Sequence, residues 1–474
     1  MSTPNTHYGA QRIDTVIKNC KNKTVFFSGA GGVMMSSLAL LTKKMGYLVK
    51  GSDRSRTEIT EELENSGIEI SYCHSRDNID ENCGALVYTV AISDDNPEYL
   101  RAGELGIPRI SRADYLGYIM TGYKNRIGIA GMHGKSTTTS MCAQIFLDAA
   151  KARIAGEPTI ISGAAYRPMG GAYHIGDNEN FIFEACEYMD SFLDFNPTVA
   201  VLLNAEMEHV DYFKSLDQIV SSFSKYASLT RSEGYAVANA DDRNIMRSVK
   251  GYCGKLITFG IKNECDFRAV DIETARGLPA FDMLYGNEKV FRVRLPVCGE
   301  HNIYNALASA AAAYVCGIDF ECIRKGLESF SGTKRRMEYK GKIKGADVWD
   351  DYGHHPTEVG ATLAGARQMC PGRLICVFQP HTYSRTAALR DKFKSAFEPC
   401  DIVLLCDIYA AREENIYGIS SEGLASVVGE KAVYAKDIKS CAKTLESIVR
   451  EGDTVVIMGA GDIYNIYKEL DLEN

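Results

Sequence analysis

"RIGIAGMHGKSTTTS" (residues 126–140) sets an apolar, strand-like run directly before Gly134, Lys135, Ser136 and a threonine-rich helix start. A phosphate-binding loop must point backbone N–H groups at phosphate oxygens and offer a lysine, with a hydroxyl for a magnesium ion. Gly134, Lys135 and Ser136 meet those needs. The usual signature G-x-x-x-x-G-K-[ST] also asks for an earlier glycine, five residues ahead of the second, and Ile129 stands there. The loop is therefore a relaxed version, with His133 inside it.

Around this loop the chain reads as α/β throughout. Upstream, "TVFFSG", "AGGVM", "MSSLALLTKKMG" and "YLVKGSD" give strand, glycine turn, helix and strand, the opening of a Rossmann-like unit. Gly29, Gly31 and Gly32 stand where a backbone approaches a diphosphate, and Asp53 ends the second strand where a ribose hydroxyl would lie. Met34 takes the place of the last glycine of G-x-G-x-x-G. A dinucleotide such as NAD, the diphosphate of another nucleotide, and a turn made only for packing all stay open. Downstream, "NFIFEAC", "TVAVLLN", "YAVANADD" and "KLITFGI" read as buried parallel strands. Residues 265–297 alternate with glycine breaks and predict a small antiparallel sheet, followed by two helices. A third segment repeats strand and helix from "ADVWDDY" to "DTVVIMGAGD".

The length of 474 residues suits about three domains. The boundaries expected are 1–122, a Rossmann-like domain; 123–332, a central domain with the phosphate loop; and 333–474, a second Rossmann-like domain. With 45% hydrophobic and 24% charged residues the composition is that of a globular protein. No apolar run reaches membrane-spanning length and the start is polar, so no membrane association and a cytoplasmic setting are expected. Fifteen cysteines without CxxC pairs fit a reducing compartment, and a net charge of −8 argues against nucleic acid as a partner.

Further candidates follow from position. Glu184 closes a buried strand, as a magnesium-ligating carboxylate would, with Glu187 and Asp190 as rivals. His209 lies among acids in "NAEMEHVDYF". His301, Asn302 and Asn305 open a helix in "GEHNIYNA", where they suit a purine or ribose. Arg335 and Arg336 in "GTKRRME" fall at a domain boundary, where arginine either reaches a phosphate across a closing cleft or forms a solvated basic linker, and both readings stay open. "DDYGHHPTE" (350–358) gathers two acids, a tyrosine and two histidines. Adjacent His354 and His355 point in different directions, so one oriented histidine beside a buried acid is favoured over zinc.

Together "GMHGKSTTT", "EACEYMDSFL", "NAEMEHVDYF", "GEHNIYNA", "GTKRRME", "DDYGHHPTE" and "QPHTYSRT" occur in the order of the Mur ligases, and the chain resembles that family along nearly its whole length. These are ATP-dependent amide-forming enzymes of peptidoglycan synthesis, and the family's loop ends in G-K-[ST] after a histidine without the early glycine. The resemblance implies ATP as co-substrate at Gly131, His133, Gly134, Lys135, Ser136, Thr137, His301, Asn302, Asn305 and Arg336. It implies two magnesium ions on Ser136, Glu184 and His209, and a UDP-sugar at Gly29, Gly31, Gly32 and Asp53. The amino acid would meet Tyr352, His354, His381 and Arg385; Lys135, Arg336, Asp351 and His354 would serve the chemistry, with His354 as base. The partners implied are UDP-N-acetylmuramate, L-alanine and ATP, for a monomer or homodimer whose domains hinge near residues 122 and 333. A recycling enzyme that attaches a tripeptide to the same sugar is the near alternative, and an NAD oxidoreductase the distant one. Three departures stand out: Met34 and Ser37 replace glycines, Thr89 and Val90 replace a serine pair, and Thr382 follows His381 where arginine is frequent.

Overall fold

The computed structural model describes residues 6–20, 23–89, 91–209, 212–230, 232–411 and 413–473; Val90 lies outside them. Three sheets follow one another along the chain. The first has β1 (Thr24–Ser28), β2 (Leu48–Ser52), β3 (Glu69–Ser71), β4 (Cys83–Tyr88) and β5 (Arg109–Ser111), all parallel in the order β3-β2-β1-β4-β5. The strand order reverses at β1, so the glycine turn that follows it opens onto the crevice where such sheets take ligands.

The central sheet holds β6 (Asn125–Ala130), β7 (Thr159–Tyr166), β8 (Gly171–His174), β9 (Asn180–Glu184), β10 (Val199–Leu202), β11 (Tyr235–Asn239) and β12 (Lys255–Gly260), with β13 (Phe267–Ala275), β14 (Leu278–Tyr285) and β15 (Glu288–Arg294). Its order is β15-β14-β13-β12-β11-β10-β6-β9-β7-β8. Every residue of β9 and β10 is buried, which explains why these strands read as unbroken apolar runs. The small antiparallel sheet expected at 265–297 is present as β13, β14 and β15, yet it does not stand on its own. Phe259↔Phe267 and Gly260↔Arg268 pair in parallel, and Asp266 accepts hydrogen bonds from Thr258 N (2.7 Å) and Oγ1 (2.7 Å), fastening them to the edge of the central sheet. The β7–β8 hairpin at the other edge was not anticipated from sequence.

The third sheet has β16 (Glu338–Ile343), β17 (Ala346–Asp351), β18 (Leu374–Phe378), β19 (Ile402–Leu405), β20 (Ala432–Tyr434) and β21 (Thr454–Met458), in the order β16-β17-β21-β18-β19-β20, parallel except at β16.

The two junctions differ in kind. One apolar cluster runs from the first sheet into one face of the central sheet, through Tyr115, Leu116, Ile119, Phe192 and Phe195. Gly117 lets the chain close there: a Cβ would lie 2.0 Å from the carbonyl oxygen of Asp194. The third sheet keeps separate cores on its two faces. Its helix Pro356–Met369 meets the central domain backbone to backbone, since a Cβ on Gly365 would stand 3.3 Å from Gly299 Cα. No helix among the described residues is long and apolar enough to cross a membrane.

Candidate active site

β6 runs through to Ala130, with Ile129 buried and paired to Val201. The position where the ordinary signature has its first glycine is thus inside the strand, and the loop begins only at Gly131. Asn204, at the end of β10, clamps it: Asn204 Oδ1 accepts from His133 N at 2.8 Å and its Nδ2 donates to His133 O at 3.0 Å. Gly134 has φ 84°, and a Cβ there would come 2.7 Å from Asn305 Oδ1, so both conformation and space require glycine. The helix Lys135–Lys151 follows, aiming its first N–H groups at the loop.

Lys135 Nζ donates to Gly131 O at 2.5 Å and lies 3.0 Å from Glu187 Oε2. Burial lowers its proton affinity, and Glu187 outweighs that, so it stays charged with a raised pKa. Glu187 is itself buried and also meets His209 Nε2 at 3.1 Å. Glu184 accepts from Ser136 Oγ (3.2 Å), Ser162 Oγ (2.9 Å) and Gly163 N (2.5 Å). Ser136, Glu184 and His209 are hard oxygen donors plus one imidazole around a single cavity, a donor set that fits magnesium.

Asn302 and Asn305 line a second cavity of about 500 Å³ with Phe259, His301 and Arg336. Their amides are engaged within the protein: Thr138 Oγ1 donates to Asn305 Oδ1 (3.1 Å), Asn305 Nδ2 to Asn302 Oδ1 (2.9 Å) and Asn302 Nδ2 to Cys298 O (2.7 Å). This chain buttresses Gly134 from below and leaves His301 the freer group. Burial, helped by Arg336, pushes the His301 pKa down to about 4. Thr137 lines the same cavity.

From the C-terminal domain, Asp351 accepts from Met337 N (2.9 Å) and Gly353 N (2.8 Å), tying the Arg336 turn to the His354 loop. Burial lifts its pKa to about 6 against the opposing pull of Arg336. Arg336 sits over the Tyr352 ring at 5.3 Å. His354 Nδ1 is 3.2 Å from Tyr352 O, so that nitrogen carries the proton and Nε2 the lone pair. Burial holds its pKa down to about 4. Arg385 donates from Nε to Glu208 Oε1 (2.9 Å) and from Nη1 to His381 Nδ1 (3.0 Å). Lys135, Glu184, His209, Arg336, His354 and Arg385 line one cleft of about 500 Å³ between the domains. His381, Thr382 and Arg385 share an adjoining cavity of about 250 Å³ with His209 and Glu413. Backbone strain gathers here: Met189, Asp190, His209, Arg335, Met337 and Thr382 all have φ between 47° and 63°.

His133, Glu208 and His355 bring ligand atoms within 4.8 Å of one another. Thr357 N donates to His355 Nδ1 at 3.3 Å, which puts the His355 proton on Nε2, the nitrogen 3.5 Å from Glu208 Oε2. A metal on Nε2 would force the proton onto Nδ1, against that N–H. In this cluster His133 is ion-paired to Glu206 and Glu358, and Glu208 to Arg385. The acids that build it, Glu206, Glu208 and Glu358, were overlooked in the sequence, although the run "EMEH" and the helix-start position of Glu358 were signals for them.

At the N-terminal turn, Asp53 Oδ2 accepts from Gly31 N (2.9 Å) and Oδ1 from Ser55 N (3.1 Å), so the carboxylate shapes the turn itself. Gly29 has φ 80°, and Gly32 caps the helix Val33–Lys44.

Three family models match the chain in series: the Mur ligase family catalytic domain over 24–124, the Mur ligase middle domain over 129–313, and the Mur ligase glutamate ligase domain over 335–461. The chain belongs to the Mur ligase family. It is 42% identical over 458 residues to UDP-N-acetylmuramate–L-alanine ligase of Caldanaerobacter subterraneus subsp. tengcongensis, covering 96% of this chain and 98% of that one. It is 44% identical over 451 residues to the protein of the same name from Acetivibrio thermocellus, covering 94% and 95%. Among solved structures, the UDP-N-acetylmuramate-alanine ligase MurC of Thermotoga maritima matches with a TM-score of 0.77 at 27% identity, covering 94% of this chain and 98% of that one. A murein peptide ligase from Psychrobacter arcticus, at 24% identity and a TM-score of 0.69 over 94% of this chain and 98% of its own, shares the fold.

Proposed function

We propose that the chain is an ATP-dependent ligase that joins L-alanine to the lactyl carboxylate of UDP-N-acetylmuramate in peptidoglycan precursor synthesis, in the cytoplasm. The observation that carries this reading is the single cleft shared by Lys135 and Ser136 of the phosphate loop and His354 and Arg385 of the C-terminal domain. A carboxylate and an amine do not condense unaided, because the departing oxide is a poor leaving group. ATP removes that obstacle. The carboxylate oxygen attacks the γ-phosphorus and ADP leaves; the amine then attacks the acyl carbon and phosphate leaves.

Negative charge builds first on phosphoryl oxygens and then on the carbonyl oxygen, and Lys135 and Arg336 are the fixed cations for it. Ser136, Glu184 and His209 would hold magnesium, which would supply further positive charge to the developing phosphate charge. The cavity beside His301 takes the nucleoside end of ATP, and the Gly29–Gly32 turn takes the UDP handle. Arg385, with His381 and Tyr352 nearby, takes the alanine carboxylate, and the adjoining cavity of about 250 Å³ suits one small residue better than a tripeptide. His354 offers Nε2 as acceptor. With a pKa of about 4 it is too weak a base to strip a free ammonium, and it suits a nitrogen already bonding to the acyl carbon, whose proton has become acidic.

The test is phosphate release with UDP-N-acetylmuramate and ATP, comparing L-alanine, glycine, L-serine and a tripeptide. L-alanine should support release, and Lys135→Ala should slow it by ~100-fold or more. Release indifferent to L-alanine, or a Lys135→Ala variant at the parental rate, sinks the reading.

A further inference from the structure

The phosphate loop and the amino-acid end of the cleft belong to different domains, and one carboxylate touches both. Glu358 lies in the first turn of the helix Pro356–Met369. Its Oε2 accepts from the backbone N–H groups of His354 (3.2 Å) and His355 (3.5 Å), which fixes where the His354 ring stands. Its Oε1 lies 3.1 Å from His133 Nδ1. The opposite nitrogen of that ring, His133 Nε2, lies 2.5 Å from Glu206 Oε1, and Glu206 Oε2 accepts from Thr357 Oγ1 at 3.0 Å.

His133 therefore sits between a carboxylate of its own domain and one of the C-terminal domain, its ring 4.8 Å from that of His355. An imidazole with a carboxylate close to each nitrogen is favoured as the imidazolium, ion-paired on both sides. Its backbone is clamped by Asn204, so the ring cannot move without the loop. Loop backbone, His133 ring, Glu358 and His354 amide form one connected series.

We propose that Glu358 is a positioning residue that, clasped to His133, sets His354 for amine attack only when the C-terminal domain has closed on the phosphate loop. The proposal rests on the ligase reading above. It predicts that breaking the clasp impairs use of the acyl phosphate more than its formation. Arg336 Nη1 is also 3.7 Å from Glu358 Oε1, so His133→Asn is the cleaner variant and Glu358→Gln the companion that keeps an acceptor for the cap.

The experiment traps the intermediate with hydroxylamine, whose nitrogen attacks the acyl carbon, expels phosphate and leaves a hydroxamate. In either variant the ratio of hydroxamate to alanyl amide should rise roughly 10-fold or more, with the double variant no worse than the worse single one. An unchanged ratio, or effects that multiply in the double variant, overturns the clasp. A parent chain that forms no hydroxamate sinks the ligase reading instead. The clasp is then judged by amide hydrogen exchange in the free protein: His133→Asn must speed exchange at His354 and His355, and unchanged protection overturns it.

Discussion

Four histidines around the cleft hold their protons with opposite strengths, and each value has a local cause. Burial, with Arg336 for His301 and Arg385 for His354 and His381, keeps these three near a pKa of about 4. Burial acts on His133 in the same direction, but Glu358 and Glu206 outweigh it and raise the value to about 9. From an ordinary value of 6.5, the first three bind fewer protons folded than unfolded between pH 6.5 and 4. Their contribution to stability is complete above 6.5 and lost as the pH falls toward 4. His133 is the reverse: its contribution is complete below 6.5 and lost as the pH rises through about 9. Asp351, raised from 3.8 to about 6, works against the three histidines on the acid side. Urea unfolding should therefore show stability rising from pH 4 to 6.5 and falling near 9, and His301→Gln should remove close to one proton from the acid slope. Lys135, Ser136 and Glu184 were legible in the sequence because each sits next to a strand end whose apolar run fixes its place. The charge of His133 was not, because the two acids that set it come from distant segments.

Among the elements, the helix Lys135–Lys151 is the one the site leans on, and it is braced by a close neighbour. The helix Phe320–Glu328 presses Gly326 against it so tightly that a Cβ would stand 2.7 Å from Ile145 Cα. Gly326→Ala should force the helices apart and cost about 1–3 kcal/mol, read as a lower urea midpoint, with weaker nucleotide binding because the first turn carries Ser136. Parallel strands such as β9 and β10 were readable because both faces are buried and the whole run is apolar. The β7–β8 hairpin was not: Gly163, Ala164 and Ala165 dilute the pattern in β7, and β8 is only four half-buried residues. Alternation at 265–297 revealed strands but not their partner, since only two residue pairs fasten β13 to β12. Asn302 and Asn305 show the same limit within a helix, where a side chain that looks ready for a ligand is engaged in holding the loop.

At the scale of the whole molecule, the two interdomain junctions predict unequal mobility. Hinges near 122 and 333 follow equally well from the sequence, yet the first junction is sealed by an apolar cluster and the Gly117 contact, while the second is held by Glu206–Thr357, Glu208–Arg385 and His133–Glu358. Polar contacts of that kind exchange readily with water, whereas an apolar seam does not. Small-angle scattering with a series of distance labels should find ligand-dependent change between the central and C-terminal domains, and little between the N-terminal and central ones. These cross-domain acids escaped the sequence reading because only folding brings segments some 150 residues apart into contact, as for Thr357 and Glu206. The meeting of Gly365 with Gly299 turns this helix into a short lever. From Gly365 to the His355 end the arm is about 15 Å, so tilting it by about 10° shifts the tip by about 3 Å, more than a hydrogen bond tolerates. A swing that small would release the two contacts this helix carries, Thr357 to Glu206 and Glu358 to His133, while the glycines stay in touch, so the cleft can loosen at its phosphate-loop side without the domains parting company.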